Sequence, residues 1–433
     1  MTRARSPVVL LAAGTRGDVQ PFLALARGLQ EAGFPAVIAA APRFRSLVEA
    51  RGVGFAPLQG NPSDLMAAGS GSMAASVSGG VARGIVSTVR FLRSAQEEYR
   101  LMLDSAAAAC RPARAILAGL SSTWGLSIGE ALGVPCVFCM LQPFGRTREF
   151  PSALLPVRFS LGRSYNSLTY RALEQAMWQP WRRTPNAWRT HTLRVPPLPL
   201  SGPWRGLYAS PFPCLYGYSP AVAPPPPGDW PADHLVTGFW YLDGEPGWSP
   251  PPGLERFLSS GDPPIFIGFG SMGTSHRGAS QRAIERALQA SGLRAVVSPG
   301  GPEALLHLID GSKRTVVPGD VPHAWLFPRV SAVVHHGGAG TTAEGVRAGV
   351  PSIILPVAAD QYFWAERIAE LGVGLRSVSR STLTPGAIAD LFVRVSKDTE
   401  MRKRAGLLGG KVRAERGVAR AVKALMPILG STA

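Results

Sequence analysis

Three of the four residues from Gly337 to Gly340 are glycine, and apolar residues flank them on both sides, from Ser331 to Val334 and from Ser352 to Leu355. That spacing confines this part of the chain to one local topology. It predicts a short strand ended by His335 and His336, a tight glycine turn, a helix over Thr341 to Ala348, a second strand, and a further helix opening at Asp360 and Gln361. Glycine lets the backbone come close to a guest, and the free N–H groups and dipole of a helix start favour negative charge. The Gly338 and Gly340 amides, the His336 imidazole and the Thr341 hydroxyl therefore converge on an anion, of which phosphate oxygens are the natural example. Glu344 lies one turn further along the same helix, able to accept hydrogen bonds from sugar hydroxyls.

The same alternation runs through the chain. Apolar strands are predicted at Val8–Ala13, Pro35–Ala40, Ala115–Leu117 and Pro135–Leu141, with helices at Phe22–Gly33, Phe44–Arg51, Thr88–Ala109 and Trp124–Leu132 between them. It resumes with a strand at Ile265–Phe269, a helix at Ala279–Ser291 and a strand at Arg294–Ser298. Strands alternating with helices give parallel sheets, whose ligands bind beyond the carboxyl ends of the strands. With 433 residues and 45% apolar content the chain can bury more than one core. The prolines of APPPPGD and GWSPPPG mark a linker over 219–252. The predicted fold class is α/β: a Rossmann-like domain over 1–218 that holds an acceptor, the linker, and a second Rossmann-like domain over 253–433 that holds a nucleotide. The basic helix near Lys411–Leu425 is expected to pack back on the first lobe.

HHGGAGTT, with Glu344, the GVP at 349–351 and the Asp360-Gln361 pair, resembles the donor signature of the inverting, two-domain GT-B glycosyltransferases. That family includes sterol glucosyltransferases and bacterial enzymes that glycosylate antibiotics. GTRGDVQPF at 14–22, VTGFWYLD at 236–243, GFGSM at 268–272 and PHAWLF at 322–327 are similar to landmarks of its sterol-type branch, so the likeness spans both halves of the chain. The resemblance implies two lobes facing across a cleft, and a nucleoside-diphosphate sugar as donor. It implies that His336 binds the diphosphate, Thr341 the phosphate nearer the nucleoside, Glu344 the ribose, and Asp360 with Gln361 the hexose.

Inverting glycosyl transfer needs a base on the acceptor hydroxyl in one lobe and stabilisation of the departing diphosphate in the other. All seven histidines lie at or beyond His191, so no histidine of the early loops can be that base. Asp18, at the carboxyl end of the first strand, is the best-placed carboxylate, and the resemblance gives this loop that role. The bland alternative makes Asp18 only the N-cap of the following helix, and it could do both jobs. Asp360 could likewise be a cap, Glu344 a solvent-facing helix residue and His336 a strand end satisfied by backbone; their joint spacing favours a site. His335 reads as structural, and Arg16 receives no catalytic role.

GFGSMG at 268–273 also fits G-x-G-x-x-G, which would suit a dinucleotide- or flavin-dependent oxidoreductase. The expected acidic partner about 20 residues on is not clearly placed, as Glu285 falls within a helical pattern rather than at a strand end. The loop reads instead as facing donor phosphates, with Ser271 as a contact. A third possibility, a noncatalytic helper of a transferase, would be expected to have lost the donor residues kept here. No Asp-x-Asp pair or zinc-type spacing is seen, so neither a metal nor a resident cofactor is expected.

Four cysteines are too few for a disulfide framework, and the CVFC spacing at 136–139 sits in a strand, where positions three apart face opposite ways. This fits a cytoplasmic protein. No signal peptide is read at the N-terminus, and no apolar run reaches the roughly 18 residues of a membrane span. The formal charge of +17 comes without a nucleic-acid-binding module; it reads as a solvated basic surface, or one drawn peripherally to an anionic membrane. The acceptor is expected between strands of the first lobe. One segment is Asn61 to Gly80; the other is the irregular stretch Gln142 to Pro203, with Phe144, Phe150, Leu154, Leu155, Phe159, Trp178, Trp181 and Trp188. The expected reaction moves a hexose, glucose from UDP-glucose, to a sterol-like or polyketide-type alcohol. The alternative is a natural-product transferase using a dTDP-deoxysugar.

Overall fold

The computed structural model describes residues 6–60, 81–155, 159–244, 247–269, 279–298, 314–316, 321–356, 359–375 and 384–430. Two wholly parallel sheets organise them. The first contains β1 (Val8–Leu11), β2 (Ala36–Ala40), β3 (Gly54–Pro57), β4 (Ala115–Ala118), β5 (Cys136–Met140), β6 (Cys214–Tyr216) and β7 (His234–Val236), in the order β3-β2-β1-β4-β5-β6-β7. The second contains β8 (Ile265–Gly268), β9 (Ala295–Val297), β10 (Arg314–Val316), β11 (Ala332–His335), β12 (Ser352–Ile354) and β13 (Gly374–Leu375), in the order β10-β9-β8-β11-β12-β13. Each order reverses once, between β1 and β4 and between β8 and β11. Crevices open at the carboxyl ends of strands where the winding changes direction.

β1 is buried on both faces, as the unbroken VVLL demands. The strand faces separate two cores: Cys136 belongs to one and Cys139 to the other, as expected for residues three apart on a strand. Both thiols are buried and free.

The first helix runs from Arg16 to Glu31, beginning earlier than the apolar periodicity at Phe22 indicated and carrying Pro21 inside it. Its N-cap is Thr15, whose Oγ1 accepts from Gly17 N at 3.2 Å. Asp18 is therefore not the N-cap. Three residues on, it reaches back to Thr15 and completes a capping box.

The stretch 142–203 is not irregular. It carries helices at Arg163–Trp178 and Arg183–Trp188, followed by a π turn at Arg189–Leu193. The longer helix buries Asn166, Thr169, Tyr170, Glu174 and Trp178, so its inward face is largely polar and leaves no apolar stripe to read. Of the aromatic residues expected to line an acceptor site, Phe144, Trp178 and Trp188 are core, and Trp188 Nε1 donates to Asp104 at 3.0 Å. Segment 61–80 lies outside the described residues.

β7 lies within 219–252 and pairs with β6, so the proline-marked segment still contributes a strand to the first sheet. Beyond it, the Tyr241 hydroxyl donates to the Ala343 carbonyl at 2.9 Å. From the second lobe, Arg367 Nε donates to the Val222 carbonyl at 3.0 Å and Glu415 accepts from the Ser219 hydroxyl at 2.6 Å. The helix Gly417–Leu429 then lies on the first helix, where Val418 and Val422 crowd Gly28 so closely that a side chain there would clash. One apolar core runs through both lobes, with Trp364 packed edge-on to Tyr218 and tilted against Phe239.

Candidate active site

A cavity of about 60 Å³ opens at the β1/β4 reversal, lined by Leu11, Ala12, Ala13, Phe22, Gly119, Leu120, Ser121, Ser122, Cys139, Leu141, Gln142 and Asp18. Asp18 is the only ionisable carboxylate in this lining. Its Oδ2 accepts from Thr15 N at 2.7 Å and from the Thr15 hydroxyl at 3.0 Å. Burial nevertheless outweighs these bonds and raises its proton affinity. The Ser122 hydroxyl donates to the Leu11 carbonyl at 2.8 Å and accepts from Gly119 N at 2.9 Å, tying the ends of β1 and β4 together beneath the cavity.

In the second lobe, β11 ends at His335, which is fully buried. Its Nδ1 accepts from Gly337 N at 3.1 Å, which puts the proton of the neutral ring on Nε2, and burial drives its pKa well down. This histidine fastens the turn. Gly337 has φ +94°, and a β-carbon there would stand 2.5 Å from Ile354 Cγ2 and 3.1 Å from the Gln361 carbonyl. Only glycine permits both the conformation and that approach. A β-carbon on Gly338 would stand 2.6 Å from His336 Nε2, so the His336 ring lies directly over this glycine.

The helix Ala339–Ala348 starts at Gly338 with no side chain capping it. Its first amides, including Gly340 and Thr341, thus remain available to an anion, with His336 beside them. One turn on, Glu344 is 8% exposed and its Oε2 has no hydrogen-bond partner among the described residues. Burial raises its carboxyl to about 7, against the attraction of Arg347; Asp243 adds to the rise. A buried carboxylate oxygen without a donor is costly unless something supplies one. Arg347 pairs with Asp243 and lies over the Tyr241 ring at 4.4 Å, so the segment after β7 forms the wall behind Glu344.

Asp360 occupies the N-cap position of helix Gln361–Glu370 but does not cap it. Its Oδ2 instead accepts from Trp364 Nε1 at 2.9 Å. Burial raises this carboxyl to about 6, and the charge on Asp18 pushes in the same direction. The preceding Ala359 has φ +54°, an uncommon conformation for a non-glycine residue. Gln361 is buried with its carbonyl against Gly337, which brings the glycine turn and the Asp360 loop together.

The two halves meet here. A β-carbon on Gly340 would lie 3.9 Å from Gly17 Cα, so the first-lobe Thr15–Asp18 turn faces the start of the glycine-turn helix. Asp18, His336, Gly338, Gly340, Thr341, Asp360 and Gln361 thus belong to one region, with Glu344 a turn deeper; Ser271 lies outside the described residues. Sequence reasoning missed Gln142, 8% exposed in the cavity lining just past β5, although a polar residue at the carboxyl end of a central strand was a usable signal. Tyr241 and Asp243 lie within VTGFWYLD, but Trp364 and Arg347 had no local signal, since only the folded chain brings them to their partners. Among the described residues, no three His, Cys, Asp or Glu side chains converge as a metal site.

Residues 8–151 match the glycosyltransferase family 28 N-terminal domain, and residues 302–426 match the erythromycin biosynthesis protein CIII-like C-terminal domain. The chain is 33% identical to a sterol 3-beta-glucosyltransferase of Cryptococcus neoformans over 96% of its own length and 27% of that protein's. It is 32% identical to the sterol 3-beta-glucosyltransferase of Aspergillus fumigatus, again over 96% of this chain and 29% of the relative. The chain therefore spans less than a third of these relatives. Among solved structures, the glycotransferase of kitacinnamycin superposes with a TM-score of 0.67 at 18% identity, covering 98% of this chain and 99% of that one. The glycosyltransferase VinC in complex with dTDP gives 0.66 at 19% identity, with the same coverage. Both domain models are matched in order, one on each parallel-sheet lobe, and the fold is that of the GT-B glycosyltransferases.

Proposed function

We propose that this chain transfers a hexose, glucose from UDP-glucose, to a hydroxyl of a sterol-like lipophile, with inversion and without a metal ion. The observation that carries this reading is the meeting of the Asp18 cavity with the uncapped helix start behind His336, one from each lobe. The Asp18 carboxylate takes the proton of the acceptor hydroxyl as that oxygen attacks the anomeric carbon. The bond from that carbon to the diphosphate oxygen breaks on the opposite face, and the diphosphate leaves with the electron pair. Charge developing there is met by the amides of Gly340 and Thr341 and by His336, which take the place of a divalent ion.

In this reading His336 and Thr341 hold the phosphates and Ser271 adds a contact. Glu344, whose Oε2 has no donor of its own, accepts from ribose hydroxyls, while Asp360 and Gln361 hold hydroxyls of the hexose. The names of the sterol glucosyltransferase relatives support a sterol-like acceptor. A dTDP-deoxysugar with a natural-product acceptor is the second reading, favoured by the likeness to VinC in complex with dTDP. An oxidoreductase is disfavoured because Glu285 sits mid-helix, within Ala279–Ser291. Incubating the protein with a panel of UDP- and dTDP-sugars crossed with sterols, macrolides and flavonoids, read by mass shift, separates these. A hexose added to a sterol from UDP-glucose alone supports the proposal; no transfer from any donor to any acceptor sinks it.

A further inference from the structure

The excursion between β5 and β6 has an unusual surface. Among the described residues, Phe159, Leu161, Leu168 and Leu200 are 60%, 72%, 61% and 67% exposed, and no other large apolar side chain except Leu407 is more than 45% exposed. They are grouped along one helix. Phe159 stacks on Tyr165 with ring centroids 5.9 Å apart, and Leu168 lies one turn further along the same face of Arg163–Trp178. At the far end of that helix, the side chain of Gln179 donates to the Leu200 carbonyl at 2.8 Å and that of Gln175 to the Ser201 carbonyl at 3.0 Å, which fixes Leu200 beside it. The apolar stripe therefore extends for roughly 20 Å.

Within the excursion itself the exposed charges have one sign. From residue 159 to residue 205 the sole acidic residue is Glu174, which is 1% exposed and committed to Arg146 and to the Tyr208 hydroxyl. Arg163, Arg171, Arg183, Arg194 and Arg205 are exposed and Arg182 half-exposed. The neighbouring acid Asp229 acts on Arg163 but is held by the Thr147 hydroxyl and the Arg148 amide. Exposed aromatic and leucine side chains set among arginines match the interface of an anionic bilayer, where apolar groups enter the acyl boundary and cations meet headgroups. No helix among the described residues is long and apolar enough to cross a membrane, so such contact would be peripheral.

We infer that the outer face of the Arg163–Trp178 helix, with Phe159, Leu161, Leu168 and Leu200, is a docking surface for an anionic lipid bilayer. This does not depend on the sugar-transfer reading. It does place the helix over the Gln142–Ser152 segment that leads out of the Asp18 cavity, since Asn166 Nδ2 donates to the Arg148 carbonyl and Thr169 Oγ1 accepts from Ser152 N.

The test is co-sedimentation of the full chain with vesicles of phosphatidylcholine alone and of equal parts phosphatidylcholine and phosphatidylglycerol, at low and high salt. Binding is expected to the anionic vesicles only and to weaken with salt. It should drop about tenfold or more in Arg171→Glu/Arg183→Glu and in Phe159→Ser/Leu161→Ser/Leu168→Ser, with melting temperature unchanged. Leu168→Ser alone serves if the triple variant does not fold. Equal binding to both vesicle types, or variants that bind as the parent does, would overturn the inference. Loss of self-association in the apolar variant without loss of vesicle binding would also overturn it, in favour of a second copy of the chain as occupant.

Discussion

The charge on Asp18 in the first lobe raises the proton affinity of Asp360 in the second, whose carboxyl stands at about 6, chiefly through burial. Asp18 is anchored by Thr15 and Asp360 by Trp364, so neither can turn away without breaking a hydrogen bond. Trp364 also packs on Tyr218 and Phe239, and the position of Asp360 is thereby tied to the lobe interface itself. Two carboxylates that feel each other's charge resist ionising together.

Asp18→Asn should lower turnover by about 10²- to 10⁴-fold, the usual contribution of a positioned base, while donor affinity stays nearly constant. Because burial raises Asp18, turnover of the parent should rise with pH through that elevated value, and the variant should lack this acid limb. The variant should also titrate Asp360 at lower pH, as followed by carboxyl carbon resonances. Thr15→Ala separates the second role of this pair: it should cost about 1 kcal/mol of stability through the lost cap and leave much of the turnover intact. A fully active Asp18→Asn protein would remove the proposed base.

His336 and Gly338 give a second, steric test. Gly338 has φ −59°, which any residue can adopt, so Gly338→Ala is free of backbone strain. Its β-carbon would still stand 2.6 Å from His336 Nε2 and must displace the ring. If His336 meets the leaving diphosphate, Gly338→Ala and His336→Ala should both slow transfer, His336→Ala by about 10²-fold, the equivalent of about 3 kcal/mol. Combining them should add little beyond His336→Ala, since both remove one contact. Fully additive losses would mean that the ring position is not what Gly338 protects. Steady-state kinetics on the three variants decides it.

The features legible in the sequence were those with a local physical cause. Gly337 is demanded by a positive φ, Gly338 by the overlying ring, and the open helix start by a turn that no side chain caps; each leaves its mark in HHGGAGTT. The strands of the parallel sheets are short apolar runs, and β1 and β11 stand out for that reason. The Arg163–Trp178 helix was lost because it buries Asn166, Thr169 and Glu174, which are satisfied by the Arg148 carbonyl, Ser152 and Arg146, and polar residues inside defeat a search for apolar periodicity. Asp18 lies just past the first strand as the sequence indicates, and the alternative that it is the N-cap fails because Thr15 caps the helix three residues earlier. The bond from Trp364 to Asp360 spans one helical turn, yet its purpose becomes visible only when the other lobe arrives.

Glu344 supplies a stability test that needs no substrate. Its carboxyl rises from an ordinary 4.5 to about 7 on folding, chiefly through burial. The sign follows from the raised value: the protonated form is favoured in the folded chain, so its contribution to stability is present below about pH 4.5 and is lost as pH rises toward 7. Glu344→Gln keeps the shape and has no charge to bury. Its stability relative to the parent should be unaffected by pH below about 4.5, climb between there and 7, and level off above, with a total change of about 3 kcal/mol at about 1.4 kcal/mol for each tenfold change in proton affinity. Urea unfolding of both proteins across pH 4 to 8 measures this directly. A stability difference that does not vary with pH would show that Glu344 is not held neutral by its surroundings. Adding UDP-glucose should narrow the gap at pH 8, because ribose hydroxyls would give Oε2 the donors that the folded chain withholds.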